Sequence, residues 1–482
     1  MARANGWRWM WRVVVVCGVM ATATIALAQA ELTTLVALQF KSGINPYSTV
    51  LTQGADGNFY GTIPTGGLGA GTIFRITPSG KFTLLHAFSS DADGGYPLGS
   101  LVQATNGLLY GTTNGGGANQ RGTVFEMTLK GALTTLHSFN GIDGSNPMGG
   151  LVQAANGDFY GTTGGGGAYG SGTVFKMTAA GSLTTLYSFC SASACADGQD
   201  PVAALVQGTN ANFYGVAALG GINSQGTVFE ITPEGKLTTL YAFCSLTNCA
   251  DGSEPQSSLV QAIDGNFYGT TYRGGAGEFC STTSCGTVFK ITPAGTFSTL
   301  YSFCSLPACA DGRIPFSSLI QATDGDFYGT TFGDGAYGGG TVFALTPAGT
   351  LTTVYNFCSV TDCADGSAPY AGLLQATNGN FYGTTYLGGA HDYGTIFSLN
   401  TGLAPFISFI RNPAKIGQQF GILGYGLTGT TSVSFNGITA NFKAQSDTLL
   451  IATVPPGATT GYVTVTTPSA TLNSNVPFHV IR

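Results

Sequence analysis

Ten of the eleven cysteines fall into five pairs at one spacing, Cys-x4-Cys: Cys190 with Cys195, Cys244 with Cys249, Cys280 with Cys285, Cys304 with Cys309, and Cys358 with Cys363. This spacing offers a local disulfide or half of a thiolate metal site. A metal site would need pairs from separate parts of the chain to meet, and no histidine lies beside them. Paired cysteines in an exported chain read as disulfides. Rings this small are worth about 2 kcal/mol each in the chain-entropy account. Other reactive types are sparse. The four histidines come with no His-x-x-x-His, no nucleophile–His–acid set and no phosphate loop. His86 and His137 sit where other units carry Tyr187, Tyr241, Tyr301 and Tyr355, which reads as a packing slot. His479 lies near the end of a terminal strand, and only His391 is on a variable loop. Asp93, Asp143, Asp197, Asp251, Asp311 and Asp365 recur in Asp-Gly-x-x-Pro, where each carboxylate caps its own turn. Calcium would need a carboxylate cluster that this pattern does not supply. No catalytic residue and no cofactor is expected.

These residues are positioned by a repeat. Leu/Val-x-Gln, Asn/Asp-Gly, Phe-Tyr-Gly-Thr and Gly-Thr-Val/Ile-Phe return in order, with the tyrosine at Tyr60, Tyr110, Tyr160, Tyr214, Tyr268, Tyr328 and Tyr382. A self-similar period of this kind implies a repeat architecture. Each unit carries four strand-like runs. In the second they are Leu101–Ala104, Leu108–Thr113, Gly122–Thr128 and Leu133–Phe139, with Asn106-Gly107 as a tight hairpin signal. Four antiparallel strands per unit, seven times over, predict a seven-bladed β-propeller over 31–402. A solenoid is the rival. The ends favour closure: Glu31-Leu32-Thr33-Thr34-Leu35 is an orphaned fourth-strand motif, and the last unit stops at Gly394-Thr395-Ile396-Phe397 without one. Residues 31–40 are therefore expected to complete the last blade. Gln53, Gln103, Gln153, Gln207, Gln261, Gln321 and Gln375 share one inner-strand position and are expected to tie strands to neighbouring backbone or channel water.

Composition sets the compartment. The 482 residues include 74 glycines, only 8% charged residues and 11% aromatics, which suits turn-dense β structure and not disorder. Residues 1–30 read as a secretory signal. Arg3, Arg8 and Arg12 precede an apolar run from Val13 to Leu27, with cleavage expected near residue 28 or 30. Removing those three arginines from 17 Lys+Arg leaves 14 against 23 Asp+Glu, a balance of −9. That argues against nucleic acid as a partner. No later stretch is long and apolar enough to span a bilayer. The protein is expected to be secreted or displayed at the cell surface, with the periplasm as the alternative.

A ligand site is sought where the units differ. The loop between the second and third strands varies most, and its candidate ligand rim is Arg121, Tyr272, Arg273, Phe332, Asp334, Tyr386, His391, Asp392 and Tyr393. Aromatic and polar groups on one rim suit carbohydrate or peptide ligands. From residue 403 onward the wording changes to Gly424-Tyr425-Gly426-Leu427, Val433-Ser434-Phe435-Asn436-Gly437 and Gly461-Tyr462-Val463-Thr464-Val465. This resembles an IPT/TIG domain, which implies an immunoglobulin-like fold over 403–482. Asn378-Gly379-Asn380-Phe381-Tyr382-Gly383-Thr384-Thr385, with Gly394-Thr395-Ile396-Phe397, resembles the bacterial GloVer-type tandem repeat of "choice-of-anchor" proteins. That resemblance implies export and no particular activity. The expectation is an exported binding or adhesion protein contacting glycan or surface protein. A passive spacer is the alternative. A polysaccharide lyase or hydrolase would need paired carboxylates or a His/Tyr/Arg group on one rim.

Overall fold

The computed structural model describes residues 30–47, 50–280, 285–410 and 412–481. The export signal read from residues 1–30 lies, all but residue 30, outside that description. The described chain is all-β, built from repeated four-stranded sheets, with no helix long and apolar enough to cross a membrane.

The second unit shows why each repeat folds as it does. Val102–Gln103, Leu109–Thr113, Thr123–Met127 and Leu133–Ser138 pair in chain order, all antiparallel. Leu109 faces Met127 and Val124 faces His137 across the two longer ladders. Every residue of the second strand is buried, because sheets pack on both of its faces. Glycine is required at the centre of that strand. A Cβ on Gly111 would stand 2.6 Å from the Phe125 ring and 2.8 Å from Leu101. The fourth strand is only partly covered and forms the outer edge.

Seven such sheets follow one another, and the seventh is completed from the other end of the chain. Glu31–Ala37 pairs with Thr395–Asn400, with Glu31 opposite Asn400 and Ala37 opposite Thr395. Two sets of contacts join neighbouring sheets in a circle. The tyrosine of one unit stacks on the phenylalanine of the next: Tyr110 on Phe159, Tyr160 on Phe213, Tyr214 on Phe267, Tyr268 on Phe327 and Tyr328 on Phe381. Tyr382 of the seventh sheet packs against Phe59 of the first with ring centres 4.1 Å apart and the planes tilted by 38°. The repeated glutamines form the second set. Oε1 of Gln103, Gln153, Gln207, Gln261, Gln321 and Gln375 accepts an N–H from the preceding sheet's first turn, at Ala55, Thr105, Ala155, Thr209, Ile263 and Thr323. Gln53 accepts from Thr377 of the seventh sheet at 3.0 Å. Seven carboxamides thus satisfy seven backbone donors and leave no end sheet without a neighbour.

Beyond residue 403 two further four-stranded sheets face each other. One contains Ser408–Phe409, Gln419–Leu423, Phe442–Ala444 and Leu449–Thr453; the other contains Ser432–Phe435, Ile438–Thr439, Val463–Thr466 and Thr471–Asn473. Phe420, Ile422 and Leu450 from one pack with Val433, Phe435, Val463 and Val465 from the other in a single core. This sandwich sits against the first turns of the ring. Tyr425 Oη–H donates to the Gly57 carbonyl (3.0 Å) and Thr448 Oγ1–H to that of Ala55 (2.8 Å). Phe406 N–H donates to the Thr377 carbonyl (3.0 Å). Clefts between sandwich and ring are lined by the turns at Gln103–Gly107, Gln207–Ala211 and Thr323–Gly325.

Candidate functional site

The repeated aspartates are structural. Asp197, Asp251, Asp311 and Asp365 are buried and accept the hydroxyls of Tyr187, Tyr241, Tyr301 and Tyr355 at 2.7, 2.7, 2.8 and 2.9 Å. Each also accepts a loop N–H, as Asp197 does from Ser191 (3.0 Å). In the first two units His86 and His137 take the tyrosine's place, 3.1 and 2.9 Å from Asp93 and Asp143. The His/Tyr slot is therefore not mere packing: both side chains present a polar atom to the same carboxylate. Burial, with the carboxylate beside it, pushes the Tyr187, Tyr241 and Tyr355 phenols up to about 12. With their oxygens taken by O–H and N–H donors, these aspartates stand as loop ties.

The cysteines are ties of the same kind. Cys190 is bonded to Cys195, Cys244 to Cys249, Cys280 to Cys285, Cys304 to Cys309 and Cys358 to Cys363. Four of these bonds lie in the aspartate loops. The Cys280 to Cys285 bond lies instead in the long loop between the second and third strands of the fifth unit, where the Cys285 carbonyl accepts the Ile314 N–H at 2.9 Å. The sequence reads each pair as a staple on its own loop, and the structure adds a longer reach. Cys195, Cys249, Cys309 and Cys363 all have positive φ, between 50° and 52°. That corner turns each carbonyl toward two N–H donors, one within the loop and one from the following strand-two-to-three loop. For Cys195 they are Gly198 and Gly221, for Cys249 Gly252 and Gly275, for Cys309 Gly312 and Gly335, and for Cys363 Gly366 and Gly389. Asp334 lies close to the sulfurs of Cys304 and Cys309. Those sulfurs are bonded to each other, so they present no thiolate to a metal.

The units stop being alike at the residue after the repeated proline. That position holds Tyr47, Leu98, Met148, Val202, Gln256, Phe316 and Tyr370. The residue just before the proline has positive φ in every unit, from Asn45 (55°) to Ala368 (54°), and its N–H is bonded to a neighbouring loop. That pinned corner aims the next side chain inward. A cavity of about 230 Å³ lies there, lined by residues of all seven sheets, so it sits on the ring axis. Its lining includes Leu98, Met148, Val202, Gln256, Phe316 and Tyr370, with Ser100, Ser258 and Ser318 below.

One arc of this mouth is aromatic. Tyr370 lies 4.6 Å from Tyr47, 5.1 Å from Phe316, 4.3 Å from Phe332 and 5.4 Å from Tyr386. Tyr272 meets Phe316 edge-on at 5.8 Å. Six rings from the first, fifth, sixth and seventh sheets thus form one cluster, while the second to fourth sheets supply Leu98, Met148 and Val202. Burial, reinforced by neighbouring phenols, raises the Tyr47 pKa and pushes that of Tyr370 up to about 12. Both remain O–H donors across the neutral range. Ser100, Ser258 and Ser318 each accept one backbone N–H, leaving a hydroxyl proton to offer. Gln256 has no side-chain partner among the described residues. Asp200, beside Pro201, likewise has none, and burial raises its pKa.

The rim read from the sequence divides. Tyr272, Phe332 and Tyr386 join the mouth. Arg273 pairs with Glu254 (3.2 Å) and its guanidinium lies 5.2 Å from the Tyr272 ring centre. Asp334 pairs with Arg313 at 2.7 Å. His391 Nε2 lies 3.2 Å from Gln39 Nε2, and Asp392 accepts its own loop's Gly388 N–H at 2.8 Å. The Tyr393 and Arg121 carbonyls accept the Asn45 and Asn146 N–H groups, each at 2.9 Å. These outer residues do not converge on the cavity.

A family model for the Gloeobacter/Verrucomicrobia repeat matches residues 18–205, 152–320, 192–364 and 248–440. The chain belongs to that family. No curated protein matches it. Among solved structures, this Gloeobacter/Verrucomicrobia repeat protein is similar to the extracellular domain of a hybrid two-component system of Bacteroides thetaiotaomicron, with TM-score 0.51 at 10% identity. The match covers 91% of this chain and 46% of that one, so the chain spans about half of that structure. The likeness supports a propeller-like fold. Two others are a periplasmic gluconolactonase of Pseudomonas aeruginosa (17% identity, 68% and 92% coverage, TM-score 0.42) and an auxiliary nutrient binding protein of B. thetaiotaomicron (11%, 77% and 76%, 0.40). In this repeat protein, sequence reasoning missed Tyr47, Phe316 and Tyr370. Aligning the seven units at the proline, instead of at the longer loop, exposes them.

Proposed function

We propose that this is an exported binding protein, a seven-bladed β-propeller whose aromatic channel mouth takes carbohydrate, carrying an immunoglobulin-like sandwich of the IPT/TIG kind. The observation that carries the reading is the six-ring arc beside an unpaired carboxamide and three serine hydroxyls. Sugar rings present C–H faces to aromatic rings and hydroxyls to amides, and this mouth offers both. Five disulfides support an oxidising compartment, secreted or at the cell surface. Among the described residues the cavity lining holds no Asp, Glu, His, Lys or Arg. Glycoside hydrolysis uses two flanking carboxylates, so the lining supports binding without cleavage. The test is a glycan panel probed with the mature chain and with Tyr370→Ala. Binding that the variant loses supports the proposal. Silence from a folded sample across the panel favours a passive spacer instead.

A further inference from the structure

We infer that the mouth receives the neutral terminal residue of a carbohydrate chain end-on and excludes the chain's interior; this rests on the carbohydrate reading above. Three observations carry it. First, the far end of the channel faces the sandwich. In each unit the inner strand runs from the cavity-lining residues, such as Leu98–Ser100, to the first turn at its other end, such as Ala104–Gly107. The sandwich and the residues leading into it lie against those turns all round the ring. They bond to Ala55, Gly57 and Thr377 and share clefts with Gln103–Gly107, Ala155, Gln207–Ala211, Ile263 and Thr323–Gly325. A polymer entering the mouth has the sandwich across its straight path onward.

Second, the space is small. The cavity of about 230 Å³ falls below the range of roughly 300–1,000 Å³ usual for small-molecule sites. It suits one ring with the rest of the chain leaving through the mouth, past Tyr47, Phe332 and Tyr386. Third, the lining carries no charged side chain among the described residues. The nearby Arg273 and Arg313 are already paired with Glu254 and Asp334. A peptide C-terminus or an acidic sugar would bring a negative charge into this pocket with no free cation there to meet it, at a desolvation cost. A neutral sugar end brings only hydroxyls, which Gln256, the serines and the Tyr370 phenol can meet.

The experiment measures affinity of the full mature chain for linear gluco-, manno-, xylo- and galacto-oligosaccharides, from disaccharide to long polymer. Cyclic glucans, which have no ends, are included. In any series that binds, affinity per mole of chain is expected to stay within about twofold once the first few residues are present, and cyclic glucans are expected not to bind. Tyr370→Ala weakens binding roughly thirtyfold in that series. Affinity per mole of chain that climbs in proportion to length, or tight binding of a cyclic glucan, overturns end-on capture and leaves the carbohydrate reading standing. If no series binds, the carbohydrate reading fails and this inference fails with it.

Discussion

Gln53 joins the first sheet to the seventh, 324 residues away in sequence, and replacing it with leucine tests whether the circle is closed in solution. Its Oε1 accepts the Thr377 N–H at 3.0 Å and its Nε2 donates to Thr377 Oγ1 at 2.9 Å. Gln53 is 8% exposed and Thr377 1%. Leucine fills much of the same space but forms neither bond. Two lost hydrogen bonds cost about 1 kcal/mol each, and an orphaned buried N–H carries a penalty of about 1–3 kcal/mol. These overlap, so a loss of roughly 2–4 kcal/mol is expected. With about 2 cal/mol/K of unfolding entropy per residue over roughly 450 folded residues, Tm falls by roughly 2–4 °C. The three tryptophans are Trp7, Trp9 and Trp11, ahead of the ring, so unfolding is best followed by circular dichroism. Gln207→Leu is the control. Its Oε1 accepts Ala155 N–H at 3.4 Å and its Nε2 donates to the exposed Ala211 carbonyl at 3.2 Å; water can replace both partners, so it should shift Tm by less than about 1 °C. If Gln53→Leu melts with the parent chain, the first and seventh sheets are not joined, and the circular reading is refuted.

Four further outcomes follow from the same geometry. Gly111→Ala places a methyl 2.6 Å from the Phe125 ring, so destabilisation of about 1–3 kcal/mol is expected in a denaturant titration. Tyr370→Ala removes the ring shared by four aromatic neighbours, and a loss of about 2 kcal/mol, roughly thirtyfold in affinity, is expected for the ligand by titration calorimetry. Asp200 has its pKa raised by burial, so ionisation costs stability as pH rises through that raised value. Asp200→Asn should therefore raise Tm at pH 7 and leave it unchanged where the parent carboxyl is already protonated; the reverse pattern in a pH series of melts contradicts the assignment. Reducing the five disulfides should lower stability by about 2 kcal/mol per bond at most while the ring stays folded. The first two units already close the same loop with Ser89-Ser90-Asp91-Ala92-Asp93 and Asn140-Gly141-Ile142-Asp143. There the Asp91 and Gly141 carbonyls accept the Gly117 and Gly167 N–H groups that the second cysteine's carbonyl takes elsewhere. Far-UV circular dichroism under reductant reads the outcome.

The sequence by itself determined the repeat, the four strands of each unit, the order of those strands and the partner of the orphaned Glu31–Ala37 segment. These follow from alternation of side chains, from turn residues and from a count of strands, all of which are local or periodic. It also marked the cysteine pairs, because a separation of five residues leaves little choice of partner. It did not show that Cys195, Cys249, Cys309 and Cys363 reach the next loop through their carbonyls, since a backbone corner leaves no mark in side-chain spacing. Only the tertiary structure decided which varying residues share a space. Tyr47 and Phe316 are far apart in the chain, yet their rings lie 5.5 Å apart, because closure brings the first and sixth sheets within reach across the axis. Loop variability pointed to Tyr272, Phe332 and Tyr386 but also to Asp334 and Asp392, which fold back onto their own surroundings. No local pattern separates the two groups, since what distinguishes them is the direction of a side chain relative to the ring axis. The seat of the sandwich against the turns is likewise invisible in the sequence: it depends on surfaces from all seven units that exist only once the ring has closed.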